Sequence, residues 1–90
     1  MANRVINEVY DQCRRDVAFK LRSIREHEGY SVTDWAKKLG VSCAAINGYE
    51  GSKKSPNLLY CYDCCRIAGL KVEELVLLSR NDFIKKLFFG

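Results

Sequence analysis

The sequence predicts an all-α fold, and three observations support this prediction. Apolar residues recur every three or four positions through most of the 90 residues, which is the spacing of one helix face. Residues that commonly cap helices, such as Ser31, Gly40 and Ser42, stand where these apolar patterns begin or end. The chain has one proline and six glycines, so helices joined by short turns are expected.

The composition is that of an ordinary globular chain of one domain, residues 1–90. The hydrophobic fraction is 48% and the charged fraction 29%, and the net charge of +4 permits an anionic partner without demanding one. No apolar run is long enough to span a membrane and no signal peptide is visible, so we expect a cytoplasmic protein without membrane contact. Five cysteines are an odd number for a disulfide framework, which favours free thiols in a reducing compartment.

The first segment, residues 3–28, is predicted to form one long helix or two consecutive helices. Its apolar stripe consists of Val5, Val9, Cys13, Val17, Leu21 and Ile24. The opposite face carries Arg4, Arg14, Arg15, Arg22 and Glu26. We expect the N-terminal helical extension, residues 1–17, to add packing or dimer surface. A DNA-contacting arm is the alternative, because the extension contains three arginines.

Two short helices joined by a tight turn are predicted in the middle of the chain. Ser31 caps the first helix and Gly40 ends it, while Ser42 caps a second helix from Cys43 to about Glu50. A helix, a glycine-containing turn and a second helix form the helix-turn-helix motif, which in DNA-binding proteins places its second helix in the major groove. A generic helical hairpin has the same local pattern, so the motif alone leaves DNA binding open.

Three further helical segments are predicted in the second half of the chain. Ser55 and Pro56 suit the cap and the first position of a fourth helix, which Gly69 ends. A fifth helix is expected over residues 73–78 and a last segment over residues 81–89.

The cysteines Cys61, Cys64 and Cys65 fall within the predicted fourth helix. Their C-x-x-C spacing suits zinc or redox chemistry, but a zinc site needs further ligands. The sequence offers only Cys13, Cys43 and His27 for this purpose. Because cysteine also behaves as a small hydrophobic residue, we expect core packing and no metal or cofactor, with a metal site or a redox switch as the alternatives.

The single histidine, His27, lies between Glu26 and Glu28 near the end of the first helix. We expect it on the surface. No nucleophile–base pair or carboxylate dyad can be assembled around it, so no catalytic residue is predicted.

Residues 21–75 resemble the Cro/repressor-type (Xre-like) helix-turn-helix family of bacteria and phages. The resemblance rests on Leu21, Arg25, Gly29, Ser31, Ala36, Leu39, Gly40, Val41, Ser42, Ile46, Glu50, Pro56 and Leu75, at the family's spacing and without a gap. It implies a lambda-repressor-like five-helix DNA-binding domain with helical N- and C-terminal extensions. It further implies a sequence-specific transcriptional regulator, a repressor that binds a palindromic operator as a homodimer, and not an enzyme.

The resemblance also implies which residues would read the bases of double-stranded DNA in the major groove. These positions are held by Cys43, Ala44, Asn47 and Gly48. Only Asn47 can make a bidentate contact, with adenine as its natural partner. We therefore expect weak direct readout, supplemented by DNA shape and by the spacing of a dimer.

Candidate contacts to DNA phosphates are Ser31, Lys37, Ser42, Lys53 and Lys54. The lysines provide charge, and the serines stand at helix N-termini, where free amides face a ligand. The chain departs from the family pattern at Val32, where a glutamine is usual, and at Ser52, where a glycine is usual.

A structural ion pair between Arg25 and Glu50 is implied by the resemblance, joining the first helix to the end of the third. Two unrelated surface charges are the alternative interpretation.

The C-terminal segment, residues 75–89, is more apolar than a small monomer is expected to cover. We predict that it forms the interface of a homodimer. The residues concerned are Leu75, Leu78, Phe83, Ile84, Leu87 and Phe88. Folding back on the first helix within one chain is the alternative. A protein-interaction module or antitoxin on the same fold, with a protein partner in place of DNA, is the alternative function.

Overall fold

The computed structural model describes the backbone of residues 2–90 and the side chains of residues 8–90. The predictions for Arg4 and Val5 concern side chains outside this range. The helices are α1 (Ala2–His27), α2 (Val32–Leu39), α3 (Cys43–Glu50), α4 (Leu58–Ala68), α5 (Glu74–Leu77) and α6 (Arg80–Phe89). Residues 2–90 contain no strand, and the predicted all-α fold is confirmed.

Helix α1 is the element on which the others assemble. It is a single continuous helix and packs against α3, α4, α5 and α6, while α2 packs against α3. Leu21 and Ile24 of its C-terminal half are fully buried, as the apolar stripe predicts. Further towards the N-terminus the stripe is open at Val9, which is 64% exposed, and at Cys13, which is also exposed.

The core lies between the C-terminal half of α1 and the helices that surround it. Its largest fully buried apolar members are Trp35, Phe83, Leu21, Ile24, Ile46 and Leu75. The indole Nε1 of Trp35 donates a hydrogen bond to the hydroxyl of Tyr60 over 3.2 Å, which satisfies the buried N–H.

Helix α4 begins two residues later than the sequence predicts. The side chain of Asn57 accepts a hydrogen bond from the Tyr60 N–H over 2.8 Å and is therefore the cap. The prediction that Ser55 caps the helix and Pro56 opens it was wrong. The Ser55 hydroxyl instead forms a hydrogen bond of 2.7 Å with the hydroxyl of Tyr10 on α1.

The C-terminal segment folds back on α1, which was the alternative interpretation. Phe83, Leu75 and Leu87 are buried within the chain, so their predicted place in a dimer interface was wrong. The physical reason is that α6 supplies apolar side chains to the core along α1. Ile84 and Leu78 are partly buried and pack against this core. Of the predicted interface, only Phe88 remains mainly exposed; its ring contacts that of His27, with centroids 4.7 Å apart.

Polar contacts hold α5 and α6 against α1. The Lys20 ammonium, 2% exposed, donates to the carbonyl oxygens of Leu75 and Leu78 over 2.8 and 2.5 Å. Burial lowers the pKa of Lys20, because the charged form loses solvation. Arg80 at the start of α6 bonds to Asp16 of α1 over 2.6 Å. These contacts explain why the apolar segment stays with its own chain.

Candidate nucleic-acid interface

Helix α3 presents an open outer face and a buried inner face. Cys43, Ala44 and Asn47 are exposed, whereas Ile46 on the opposite side is fully buried in the core. The helix is therefore fixed by its inner side chain and free on its outer side. This arrangement is the one that a major-groove reading helix requires.

The turn between α2 and α3 has the geometry that its sequence predicts. Gly40 adopts a left-handed conformation with φ of 69°, which ends α2. The N–H of Val41 then donates to the carbonyl oxygen of Ala36 over 3.1 Å, and the Val41 side chain packs against the core. Two successive helices are thereby held at a set angle by a three-residue connection.

Ser31 and Ser42 cap the two helices of the motif. The Ser31 hydroxyl oxygen accepts from the Asp34 N–H over 3.1 Å, and the Ser42 oxygen accepts from the Ala45 N–H over 3.0 Å. Both serines are exposed, and each hydroxyl hydrogen is left to donate outward. Each helix start thus offers a hydroxyl donor together with the positive end of its dipole, a combination that suits a phosphate.

Arg25 and Glu50 form a bidentate ion pair that ties α1 to the last residue of α3. The guanidinium Nε and an Nη donate to the carboxylate over 2.9 and 3.0 Å, and the other Nη donates to the Tyr30 carbonyl oxygen over 2.8 Å. The two side chains are only 11% and 8% exposed. Its hydrogen bonds to the Glu50 carboxylate raise the pKa of Arg25 above its ordinary value. The pair fixes the end of α3 relative to the core.

The loop after α3 folds back over the end of that helix. The N–H groups of Lys53 and Lys54 both donate to the carbonyl oxygen of Gly48, over 2.9 and 3.1 Å. The side chain of Lys54 crosses Gly48 so closely that a β-carbon there would lie 3.0 Å from its Cδ. Gly48 has no side chain and is covered by Lys54, so it offers no group that could read a base.

Ser52, which stands where the family usually has a glycine, adopts a left-handed backbone conformation. It has φ of 62°, and no other residue except glycine has a positive φ in the described part of the chain. The left-handed conformation that glycine readily adopts is therefore kept, although a serine must adopt it. The loop path follows from this conformation, and the serine carries local strain.

Three lysines near the motif are free of carboxylate partners. Lys37, Lys53 and Lys54 are exposed and form no ion pair with any residue from 8 to 90. Lys38 lies over the ring of Tyr30, with its ammonium 5.5 Å from the centroid. The unpaired ammonium groups add positive charge to α2 and to the loop after α3, which favours an anionic ligand.

Arg22 is a candidate contact that sequence reasoning missed. It lines a cleft of about 300 Å³ beside α3 together with Val32, Asn47 and Gly51. Its guanidinium is exposed and makes a long contact of 3.4 Å with Glu26. The sequence did contain an indication of this contact, because Arg22 stands one helical turn before Arg25 and lies on the same face of α1.

The three cysteines of α4 are buried in the core. Burial raises the pKa of both Cys64 and Cys65 to about 12, and that of Cys61 is also raised. Within the described residues, no three His, Cys, Asp or Glu side chains are grouped so as to hold a metal ion. The thiols occupy the core as small apolar groups.

In the described part of the chain, no helix combines the length and the apolar character needed to span a bilayer. Comparison with curated proteins and with solved structures found no match. A family model described as Helix-turn-helix matches residues 21–75, well over half of the chain. The matched range contains α2, the turn and α3. The chain therefore belongs to the Cro/repressor-type (Xre-like) helix-turn-helix family, a family of DNA-binding transcriptional regulators rather than enzymes.

Proposed function

We propose that the protein is a sequence-specific repressor that binds a palindromic operator as a homodimer, in the cytoplasm of a bacterium or of a phage-infected cell. The observation that carries the proposal is the open outer face of α3, anchored on its inner side by Ile46 and at its end by the Arg25–Glu50 pair. Each copy inserts α3 into a major groove. Repression by occupying the operator requires no surface beyond the DNA face and the contact between copies.

The side chains on the outer face of α3 predict the base preference. Asn47 pairs with adenine through two hydrogen bonds, worth roughly 1–3 kcal/mol of discrimination. Cys43 and Ala44 contact thymine methyl groups. One bidentate contact per copy gives little selectivity, so the operator needs two half-sites and a favourable DNA shape. This limited readout is the physical reason for proposing a dimer.

The phosphates on either side of the groove are bound by the charged and hydroxyl groups that surround α3. The hydroxyls of Ser31 and Ser42 donate at the helix starts, and the ammonium groups of Lys37, Lys53 and Lys54 supply charge. These contacts provide affinity without sequence information.

A selection from random double-stranded DNA at a stated salt concentration tests this function. We expect enrichment of a palindrome with half-sites about 34 Å apart, one helical turn of DNA. Asn47→Ala is the matched variant, because it removes the single bidentate reader at an exposed site. It should lose preference at one position of each half-site and keep its salt-dependent affinity. Absence of any enriched sequence, with no salt-dependent binding, would refute the proposal.

An interaction module such as an antitoxin is the second candidate function. It is favoured by the exposed apolar side chains of Leu58, Leu59 and Leu77, which DNA binding does not use. A tight complex with a separate protein, together with no shift of any DNA fragment, would support this function over the first.

A further inference from the structure

We propose that a second copy of the chain binds to an apolar surface formed by the N-terminal half of α1, the start of α4 and α5. We call this surface the dimer face; its members are Val9, Tyr10, Leu58, Leu59, Tyr62, Val76 and Leu77. The inference rests on the proposed function, because a repressor that binds a palindromic operator needs two copies. It shares α5 with the predicted C-terminal interface but leaves out Leu75, Phe83 and Leu87, which are buried within the chain.

The members of the dimer face are exposed well beyond what is usual for apolar side chains. Leu77, Leu58 and Leu59 are 77%, 74% and 69% exposed, and the other four each expose more than half of their area. Isolated exposed leucines need no explanation, but a contiguous apolar patch marks an interaction site.

The patch is contiguous because neighbouring depressions share their lining residues. A groove of about 330 Å³ runs between α1 and α4 and is lined by Tyr10, Leu58 and Val76 among others. A second depression shares Leu58 with this groove, and a third shares Val76 with it. Six of the seven members therefore line connected depressions that form one elongated groove, and the seventh, Leu77, follows Val76 in α5.

The size and shape of the dimer face suit a second copy. Seven side chains of this size, each more than half exposed, present roughly 700 Å², close to the ~800 Å² that each partner buries in a standard interface. A twofold interface must be complementary to itself. Here leucines project beside a groove, so a twofold axis allows Leu58 and Leu77 of each copy to enter the groove of the other.

The location of the dimer face suits two copies on one duplex. Ser55 and Pro56 line the groove and directly follow the loop that carries Lys53 and Lys54. The bond between Tyr10 and Ser55 links the α1 wall of the groove to that loop. A twofold axis at this face therefore brings the DNA-facing loops of both copies together. Residues 9 and 10 precede the family match, so this chain's own extension forms one wall.

Among residues 8–90, the remaining exposed apolar surface is smaller. At the far end of α6, Phe88 and Phe89 are 54% and 87% exposed, and Phe88 already contacts His27. This pair supplies the matched control, because Phe89 is as exposed as any member of the dimer face. If Phe89→Asp abolishes the dimer and Leu58→Asp does not, the interface lies at the C-terminus and the inference is wrong.

The test measures molecular mass by sedimentation equilibrium for the whole chain and three variants, Leu58→Asp, Leu77→Asp and Phe89→Asp. All three sites are exposed, so unchanged circular dichroism is expected. The parent should show twice the 10.3 kDa of one chain. Leu58→Asp and Leu77→Asp should each weaken the dimer by ~100-fold or more, as for a buried interface anchor. Phe89→Asp should leave it unchanged.

Thiol labelling gives an independent measurement. Cys13 lines the groove and Cys43 lies on α3, and both are exposed in the single chain. Cys13 should react more slowly with a maleimide in the parent than in Leu77→Asp, while Cys43 should react equally in both. Equal labelling of Cys13 in both proteins would contradict the inference.

The outcomes separate the inference from the proposed function. A monomer at all concentrations, free and on DNA, overturns the dimer face even if an operator is selected. A complex in which only a different protein or a small apolar ligand occupies the groove would also overturn the dimer face. A dimer lost in Leu58→Asp, with no DNA binding by the parent, supports the dimer face and rejects the repressor function. In a working repressor, Leu58→Asp should bind a single half-site and lose cooperative binding to two.

Discussion

Lys54 packs its aliphatic chain onto Gly48, at a distance where a β-carbon on the glycine would lie 3.0 Å from the lysine Cδ. The relationship explains a glycine inside the helix proposed to read DNA, where it costs roughly 0.8–1.0 kcal/mol relative to alanine. The absence of a side chain at Gly48 lowers the helix propensity of α3, but it lets the loop that carries Lys53 and Lys54 lie against this helix. The ammonium group is thereby held beside the reading face.

Gly48→Ala should separate stability from DNA affinity. The free energy of unfolding should stay level or rise by up to ~1 kcal/mol, because alanine favours the helix and the flexible Lys54 chain can move aside. DNA affinity should fall, since the loop no longer lies flat on α3. Chemical denaturation and a DNA titration measure the two quantities. A parallel loss of both would show that the contact serves folding alone.

Glu50→Ala should be strongly destabilising. Removal of the carboxylate leaves the Arg25 guanidinium, 11% exposed, without its partner, at a cost of ~3–5 kcal/mol. Urea unfolding measures the loss. Glu26→Ala is the control, because it breaks only the exposed contact with Arg22 and should cost less than ~1 kcal/mol. Equal unfolding midpoints for Glu50→Ala and the parent would refute the structural role of the pair.

Lys53→Ala and Lys54→Ala should weaken binding to all DNA sequences alike. Each lost phosphate contact should reduce the slope of log affinity against log salt by about 1. Binding at several salt concentrations measures the slope. Lys85→Ala on the exposed side of α6 is the control and should leave it unchanged. A change of sequence preference, with the slope intact, would mean that these lysines contact bases.

Ser52→Gly should stabilise the protein. Ser52 holds φ of 62°, which costs a residue with a β-carbon about 1 kcal/mol and costs glycine little. We expect the unfolding free energy to rise by up to ~1 kcal/mol. Ser52→Ala should give no such gain, because alanine has the same steric penalty. A gain for both variants would point to the loss of the hydroxyl as the cause.

Stability should fall in acid as α6 loses its ion pairs. The hydrogen bond from Arg80 lowers the pKa of Asp16, and that from Lys86 lowers the pKa of Glu74. In the folded protein the two pKa values lie below the ordinary values of 3.8 for Asp16 and 4.5 for Glu74. The two ion pairs therefore contribute fully to stability at pH values above these ordinary values. This contribution is lost as the pH falls through the lowered pKa values.

Urea unfolding at pH 6 and pH 3, for the parent and Glu74→Gln, tests this dependence. The variant should be less stable than the parent at pH 6 and should lose less stability between the two conditions. Glu73→Gln, on an exposed neighbour, is the control. An identical acid response in Glu74→Gln and the parent would exclude Glu74 from the effect.

The amino-acid sequence by itself determined where most helices begin and end. Ser31, Gly40, Ser42 and Gly69 act where their residue types predict, because a cap is a hydrogen bond or a backbone conformation made within a few residues. The start of α4 shows the limit of this reasoning. Ser55, Pro56 and Asn57 all suit a helix start, and the bond from Ser55 to Tyr10 on a distant helix accompanies the choice of Asn57.

The tertiary structure alone decided which apolar surfaces are covered. Periodicity shows that one side of a helix is apolar, but it does not show what packs against that side. The first half of α1 and the C-terminal segment have similar patterns, yet Phe83 of α6 is fully buried while Val9 of α1 is 64% exposed. The difference arises because Lys20 and Asp16, in the second half of α1, bond to α5 and α6, whereas Val9 lies beyond these contacts.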